Sequence, residues 1–106
     1  LAFRADWLRT FVTAQFDRLS VVKVSGDSMD DVLKNNDTIL INHTQNEVHD
    51  GLYALRIGNE VFVKRIQRLP HKLLVISANT AYPPFELSTD DDYAIIGKVV
   101  WLGRLL

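Results

Sequence analysis

From Leu19 to Leu102 the chain is divided into short runs rich in β-branched and aromatic residues, each closed by a turn residue, and this punctuation constrains the fold most. The runs are Leu19–Ser25, Thr38–Asn42, Leu52–Ile57, Glu60–Ile66, Leu73–Ser77 and Tyr93–Leu102. Side chains of these types fit a pleated, half-buried surface, and frequent short strands predict a mainly β domain of small coiled antiparallel sheets. Gly58-Asn59 separates two of the runs and tolerates positive φ, so Leu52–Ile57 and Glu60–Ile66 are predicted to form a hairpin. Asn35-Asn36-Asp37 and Asp50-Gly51 read as further turns, and Tyr82-Pro83-Pro84 and Ser88–Asp92 as exposed loop. Only the N-terminal stretch has a different period. Trp7, Leu8, Phe11, Val12 and Phe16 share one helical face behind an Asp6 N-cap, which predicts a short helix near residues 7–15.

Composition limits what such a domain can do. With 106 residues, 47% of them hydrophobic, the chain suits one domain spanning residues 1–106 with a modest core. Twelve Lys+Arg against 13 Asp+Glu leave a net charge of -1, so this segment lacks the basic surplus that neutralises phosphates. Cysteine is absent, which removes disulfides and thiolate metal sites. The longest uncharged stretch, Leu73–Phe85, is shorter than the roughly 20 apolar residues of a membrane span and contains Asn79, Thr80, Pro83 and Pro84. No secretory leader is evident, and Leu1 in place of Met suggests a piece of a longer protein; a cytoplasmic setting is expected.

Two segments could carry chemistry. Val24-Ser25-Gly26-Asp27-Ser28-Met29 follows the first strand; taken alone, Ser, Gly and Asp in such a cluster read as a turn. Val61-Phe62-Val63-Lys64-Arg65-Ile66 forms the second hairpin strand. Alternation puts Phe62, Lys64 and Ile66 on one face and Val61, Val63 and Arg65 on the other, so the Lys64 stem lies between two large apolar neighbours. Strand lysines commonly snorkel, keeping the ammonium in water. Burial would change that: an ordinary lysine, with a pKa of about 10.4, holds its proton at neutral pH, whereas a desolvated one becomes a base able to activate a serine hydroxyl. Serine–lysine pairs are a known variant of the catalytic triad.

In order along the chain, Val24-Ser25-Gly26-Asp27-Ser28-Met29, Asn36-Asp37, Asp50-Gly51 and Val61-Phe62-Val63-Lys64-Arg65 resemble the motif set of the LexA-like (S24) peptidase domains. Tyr93-Ala94-Ile95-Ile96-Gly97-Lys98-Val99-Val100 is similar to that family's closing strand. The family forms the C-terminal part of LexA and of lambdoid phage repressors and includes the UmuD mutagenesis protein. The resemblance implies that Ser28 is the nucleophile and Lys64 the base of a self-cleaving dyad, with the Asp27–Ser28 backbone supplying oxyanion donors. It also implies a regulatory, dimerising domain of a transcriptional repressor. Homodimers or higher oligomers would form through the C-terminal strand region, DNA would bind only through an N-terminal domain outside this chain, and a RecA-like or antirepressor inducer could act on it. No cofactor, metal or membrane is implied.

The chain departs from the family pattern in three places. Active members cut an Ala-Gly or Cys-Gly bond upstream of the serine; here the upstream alanines precede Phe3, Asp6 and Gln15, so either the cis substrate bond lies before Leu1 or the dyad is retained in a lineage not switched by self-cleavage. Asp30-Asp31 stands where many relatives have proline after Ser-Met, and Asn36 where many have glycine, a mild change because Asn tolerates the left-handed region. Alternative readings are a serine–lysine peptidase acting in trans, as a signal-peptidase relative, and a UmuD-like polymerase accessory subunit. Asp27 reads as a turn-capping residue and Met29 as core. His43, His49 and His71 complete no recognisable metal set, and the basic cluster Lys64, Arg65, Arg68, His71, Lys72 reads as a solvated face balanced by Asp90-Asp91-Asp92. The apolar segment Val99–Leu106 is expected to be buried or to pair with a second copy.

Overall fold

A computed structural model describes residues 18–29 and 32–105. The helix expected near residues 7–15 lies outside the described residues. Seven strands are present among those described: β1 (Leu19–Lys23), β2 (Thr38–Asn42), β3 (Gly51–Ile57), β4 (Glu60–Leu69), β5 (Lys72–Ile76), β6 (Phe85–Ser88) and β7 (Tyr93–Gly103). All neighbouring pairs are antiparallel, and the strands join into one ladder in the order β1-β2-β7-β3-β4-β5-β6. The mainly β antiparallel architecture expected from the sequence is therefore the one observed.

Local chemistry explains the turns. Ile57 pairs with Glu60 across Gly58-Asn59, and the left-handed φ falls on Gly58 at 57°, the first turn position, as a II′ hairpin requires. Asn36 takes φ 74° and Asp50 φ 48°, the αL conformations that short polar side chains tolerate best. Two elements differ from the sequence reading. β4 runs on to Leu69, and its polar outer residues Gln67 and Arg68 are exposed on a strand that still pairs with β5. β6 fills the gap between the two stretches read as loop and takes Ser88 from the second; it is a four-residue edge strand bonded to β5 alone, and so short a segment carries little periodic signal.

The ladder buries both of its faces. Tyr53, Leu55, Ile66, Leu73, Val75, Leu87 and Val48 form one core. Met29, Leu33, Ile39, Ile41 and Ala54 form the other, with Leu52, Val63 and Val99 packed against them. Alternation along β3 sends Tyr53 and Leu55 to the first core and Leu52 and Ala54 to the second. β7 serves both by two register shifts, one opposite Leu40/Ile41 and one opposite Ala54/Leu55, each of which bends and twists the strand. Between these irregularities the chains approach closely. A Cβ on Gly97 would lie 2.6 Å from the Asn42 carbonyl oxygen and 2.8 Å from Ile41 Cγ2.

At the far end of the β2–β7 pair, Arg104 binds Asp37 through two bonds of 2.8 and 2.7 Å, and Asp37 also accepts the Lys34 N–H at 2.7 Å. The Arg104 bonds hold this buried carboxyl below its ordinary range despite the opposing effect of burial. The Asp37 backbone meanwhile accepts the Val24 N–H at 2.8 Å, and Asn36 N–H donates to Val24 O at 2.8 Å. The segment leaving β1 is thus tied to the start of β2. Gly97→Ala is expected to lower the unfolding free energy by about 1–3 kcal/mol in chemical denaturation, because the contact is with backbone and cannot yield cheaply.

Candidate functional site

The serine turn hangs from the end of β1. Gly26 has φ 88°, which only glycine adopts readily, and its N–H donates to Asn35 Oδ1 at 3.1 Å. Two residues on, Ser28 is half-buried, while Met29 enters the second core and its sulfur accepts the Ala78 N–H at 3.3 Å. Met29 O accepts the N–H groups of Val32 and Leu33, which closes the turn behind the serine.

Lys64 comes from β4, opposite Tyr53 of β3. Its flanking same-face residues pack into the first core: Ile66 is fully buried and Phe62 lies against the cluster. The lysine itself is only 6% exposed, so it does not snorkel. Val61 and Arg65, on the other face, are exposed, and Val63 reaches the second core. Nζ donates to Ser77 Oγ at 2.9 Å and stands 5.8 Å from the Phe62 ring centroid and 5.5 Å from that of Tyr82. Desolvation pushes the ammonium below its usual pKa of 10.5. The two aromatic faces favour the cation, but they are at the outer limit of that interaction.

Ser28 and Lys64 line one cavity of about 540 Å³, together with Asp27, Phe62, Ser77 and Tyr82. Asp27 is bonded across this cavity and not within its own turn: its Oδ1 accepts the Tyr82 hydroxyl at 2.6 Å, which raises the phenol above its ordinary value. The expected cap is replaced by this long-range tie. Ser77, Asn79 and Tyr82 escaped the sequence reading, which placed Ser77 at a strand end and Tyr82 in exposed loop. A signal was present. Once β4 extends to Leu69, opposite Lys72, counting back along the register past Arg65 and Ile76 sets Lys64 opposite Ser77.

The remaining candidates are distributed elsewhere. His43 bonds Ser20 Oγ at 2.5 Å and the Ile96 carbonyl at 3.1 Å, joining β1, β2 and β7. Arg65, Arg68, His71 and Lys72 are exposed, as a solvated face requires, whereas Lys64 is buried; Lys72 pairs with Glu86 at 3.1 Å and Asp92 with Arg56 at 3.1 Å. These exposed pairs contribute little stability. Among the described residues no helix is long and apolar enough to cross a membrane.

The chain is thus a small antiparallel β domain in which a glycine-containing serine turn and a desolvated strand lysine line one cavity. Residues 2–100 match the Peptidase S24-like family model, and the chain belongs to that family. It is 33% identical over 86 residues to LexA repressor 1 of Xanthomonas axonopodis pv. citri, covering 79% of this chain and 42% of that protein. An uncharacterized HTH-type transcriptional regulator of Haemophilus influenzae is 30% identical over 106 residues, 96% of this chain and 44% of the relative. The LexA repressor of Hahella chejuensis shares 37% over 68 residues, 63% of this chain and 34% of the relative. The chain thus spans less than half the length of these curated relatives.

Burial of Lys64 has a pH signature. Its folded pKa lies below the unfolded one, so the ammonium destabilises the fold at neutral pH, and stability is regained as pH rises through the folded value toward 10.5. Lys64→Met is expected to be neutral or stabilising at pH 7, by up to about 2 kcal/mol, with the gain shrinking at alkaline pH in denaturation curves.

Proposed function

We propose that this domain is the regulatory and association half of a LexA-like transcriptional repressor, carrying a Ser28–Lys64 dyad of the self-cleaving type. The observation that supports the dyad most directly is that a half-buried serine and a desolvated lysine open onto the same cavity. In the proposed reaction neutral Lys64 takes the Ser28 hydroxyl proton as Oγ attacks a peptide carbonyl carbon. The Ser28 backbone N–H faces the developing oxyanion. The ammonium then returns that proton to the leaving amine nitrogen, the peptide C–N bond breaks, and an ester to Ser28 remains. Water then attacks the ester carbonyl as Lys64 takes its proton, the bond to Ser28 Oγ breaks, and Lys64 returns the proton to that oxygen, which releases the carboxyl product. The bond cut is a peptide bond presented to this cavity by the repressor's own polypeptide or by a second chain.

Cleavage is expected to rise with pH, with a midpoint below the ordinary lysine value, because only the neutral amine accepts the proton. Full-length protein incubated across pH 7–11 and followed by mass spectrometry tests this. Loss of cleavage in both Ser28→Ala and Lys64→Ala is the expected result; cleavage that survives both substitutions excludes the dyad.

Association is proposed through β7. Its ladder with β3 ends at Lys98, whereas β2 continues alongside to Gly103, so beyond Lys98 one edge of β7 is not covered by β3. Val100 and Leu102 are exposed there and Leu105 is 89% exposed. An uncovered apolar strand edge suits pairing with a second copy across a two-fold axis. In an intact repressor such a dimer would link two helix-turn-helix domains and convert two weak DNA contacts into one tight bivalent one. Sedimentation of the wild type should show dimers that weaken in Leu102→Lys, with circular dichroism unchanged; a wild type that stays monomeric at high concentration overturns the proposal.

A further inference from the structure

The turn between β5 and β6 touches both halves of the proposed dyad. Ser77 Oγ accepts the Lys64 N–H at 2.9 Å. The Asn79 backbone N–H donates to Ser28 O at 2.9 Å, and Asn79 Nδ2 donates to Asp27 O at 3.2 Å. Tyr82 OH completes the contact on Asp27 Oδ1 at 2.6 Å. The turn is braced internally, because Asn79 Oδ1 accepts the Ala81 N–H at 3.0 Å and Asn79 O the Tyr82 N–H at 3.1 Å.

Each contact restricts one degree of freedom that serine–lysine chemistry needs restricted. A neutral lysine amine has two N–H donors and one lone pair, and it rotates freely about its last C–N bond. Placing one N–H on Ser77 Oγ stops that rotation and limits where the lone pair can point. Asn79 acts on the other side. The Asp27–Ser28 peptide is trans, as are all those described, so its C=O and N–H point in opposite directions in one plane. Holding the Asp27 carbonyl on Asn79 Nδ2 therefore fixes the direction of the Ser28 N–H, the donor required by the oxyanion.

We infer that the 77–82 turn is the positioning element of this site, with Ser77 orienting the Lys64 amine and Asn79 orienting the Ser28 N–H. Neither is a catalytic residue, since each acts through another group. The inference rests on the Ser28–Lys64 reading above and adds to it a single segment that aligns base and oxyanion donor together.

A fluorophosphonate probe tests it without a peptide substrate: the Ser28 oxygen bonds to phosphorus, fluoride leaves, and Lys64 takes the proton. Labelling rate against pH is followed by intact mass, and Lys64 titration by the NMR shift of its ε-carbon. Ser77→Ala is expected to lower the alkaline plateau about tenfold or more while moving the Lys64 midpoint to lower pH, since an acceptor that favours the ammonium is lost. A wall that merely kept water out would move the midpoint the other way. Ser77→Thr should restore both, and if Ser77→Ala does not fold, Ser77→Thr against Ser77→Val makes the same comparison. Asn79→Ala should lower the plateau and shift the Ser28 amide resonance while leaving the Lys64 midpoint in place.

Wild-type labelling in Ser77→Ala, or a midpoint that rises with the plateau intact, overturns the role of Ser77. An unmoved Ser28 amide resonance in Asn79→Ala overturns that of Asn79. Lys64→Ala that labels as fast as wild type overturns the dyad itself, and the positioning inference with it; that outcome is distinct because it appears in a variant that leaves the turn intact.

Discussion

The pairing of β7 with both β2 and β3 is the constraint on which the rest of the molecule depends. Without it the ladder separates into a two-stranded piece, β1–β2, and a four-stranded piece, β3 to β6. An isolated two-stranded ribbon is marginal in water, so the first piece needs β7 and the cores behind it to persist. The serine turn belongs to that first piece and Lys64 to the second. The strand ladder joins them only through β7, whose two bulges set the bend, with Gly97 allowing the close approach to Asn42 and Arg104 with Asp37 closing the far end; the bonds from the 77–82 turn to Asp27, Ser28 and Met29 then fasten the two pieces directly.

The same arrangement explains why a lysine can be kept dry in so small a domain. Lys64 faces the side of β4 that carries Ile66 and Phe62, near the edge of the first core, where aromatic rings and the following turn exclude solvent. Desolvation costs stability, and one hydrogen bond to Ser77 offsets only part of that cost. Keeping this group buried therefore costs the fold stability that a well-packed apolar side chain in its place would not.

Local chemistry made much of this legible. Gly58-Asn59 marked the hairpin, Asn36 marked a left-handed position, and alternation across Phe62, Lys64 and Ile66 put the lysine on an apolar face. Resemblance, not spacing, linked Ser28 to Lys64, because nothing local to either segment specifies how two pieces of sheet are joined. β6 was missed because a four-residue edge strand after two prolines has almost no pattern to read. Ser77, Asn79 and Tyr82 were missed for a related reason: their roles come from a register set by the extended β4, whose outer residues Gln67 and Arg68 are too polar to announce a strand.

The position of β7 in chain order carries a consequence for the life of the polypeptide. Ser28 and Lys64 leave the ribosome before residues 93–103, and until those residues emerge no strand pairing holds the two sheet pieces together. During synthesis the chain therefore passes through a stage in which Ser28 and Lys64 are both present while β7, the strand that bridges their two sheet pieces, is not. Assembly of the cavity lined by Ser28 and Lys64 is thus a late event in synthesis, set by the C-terminal position of β7.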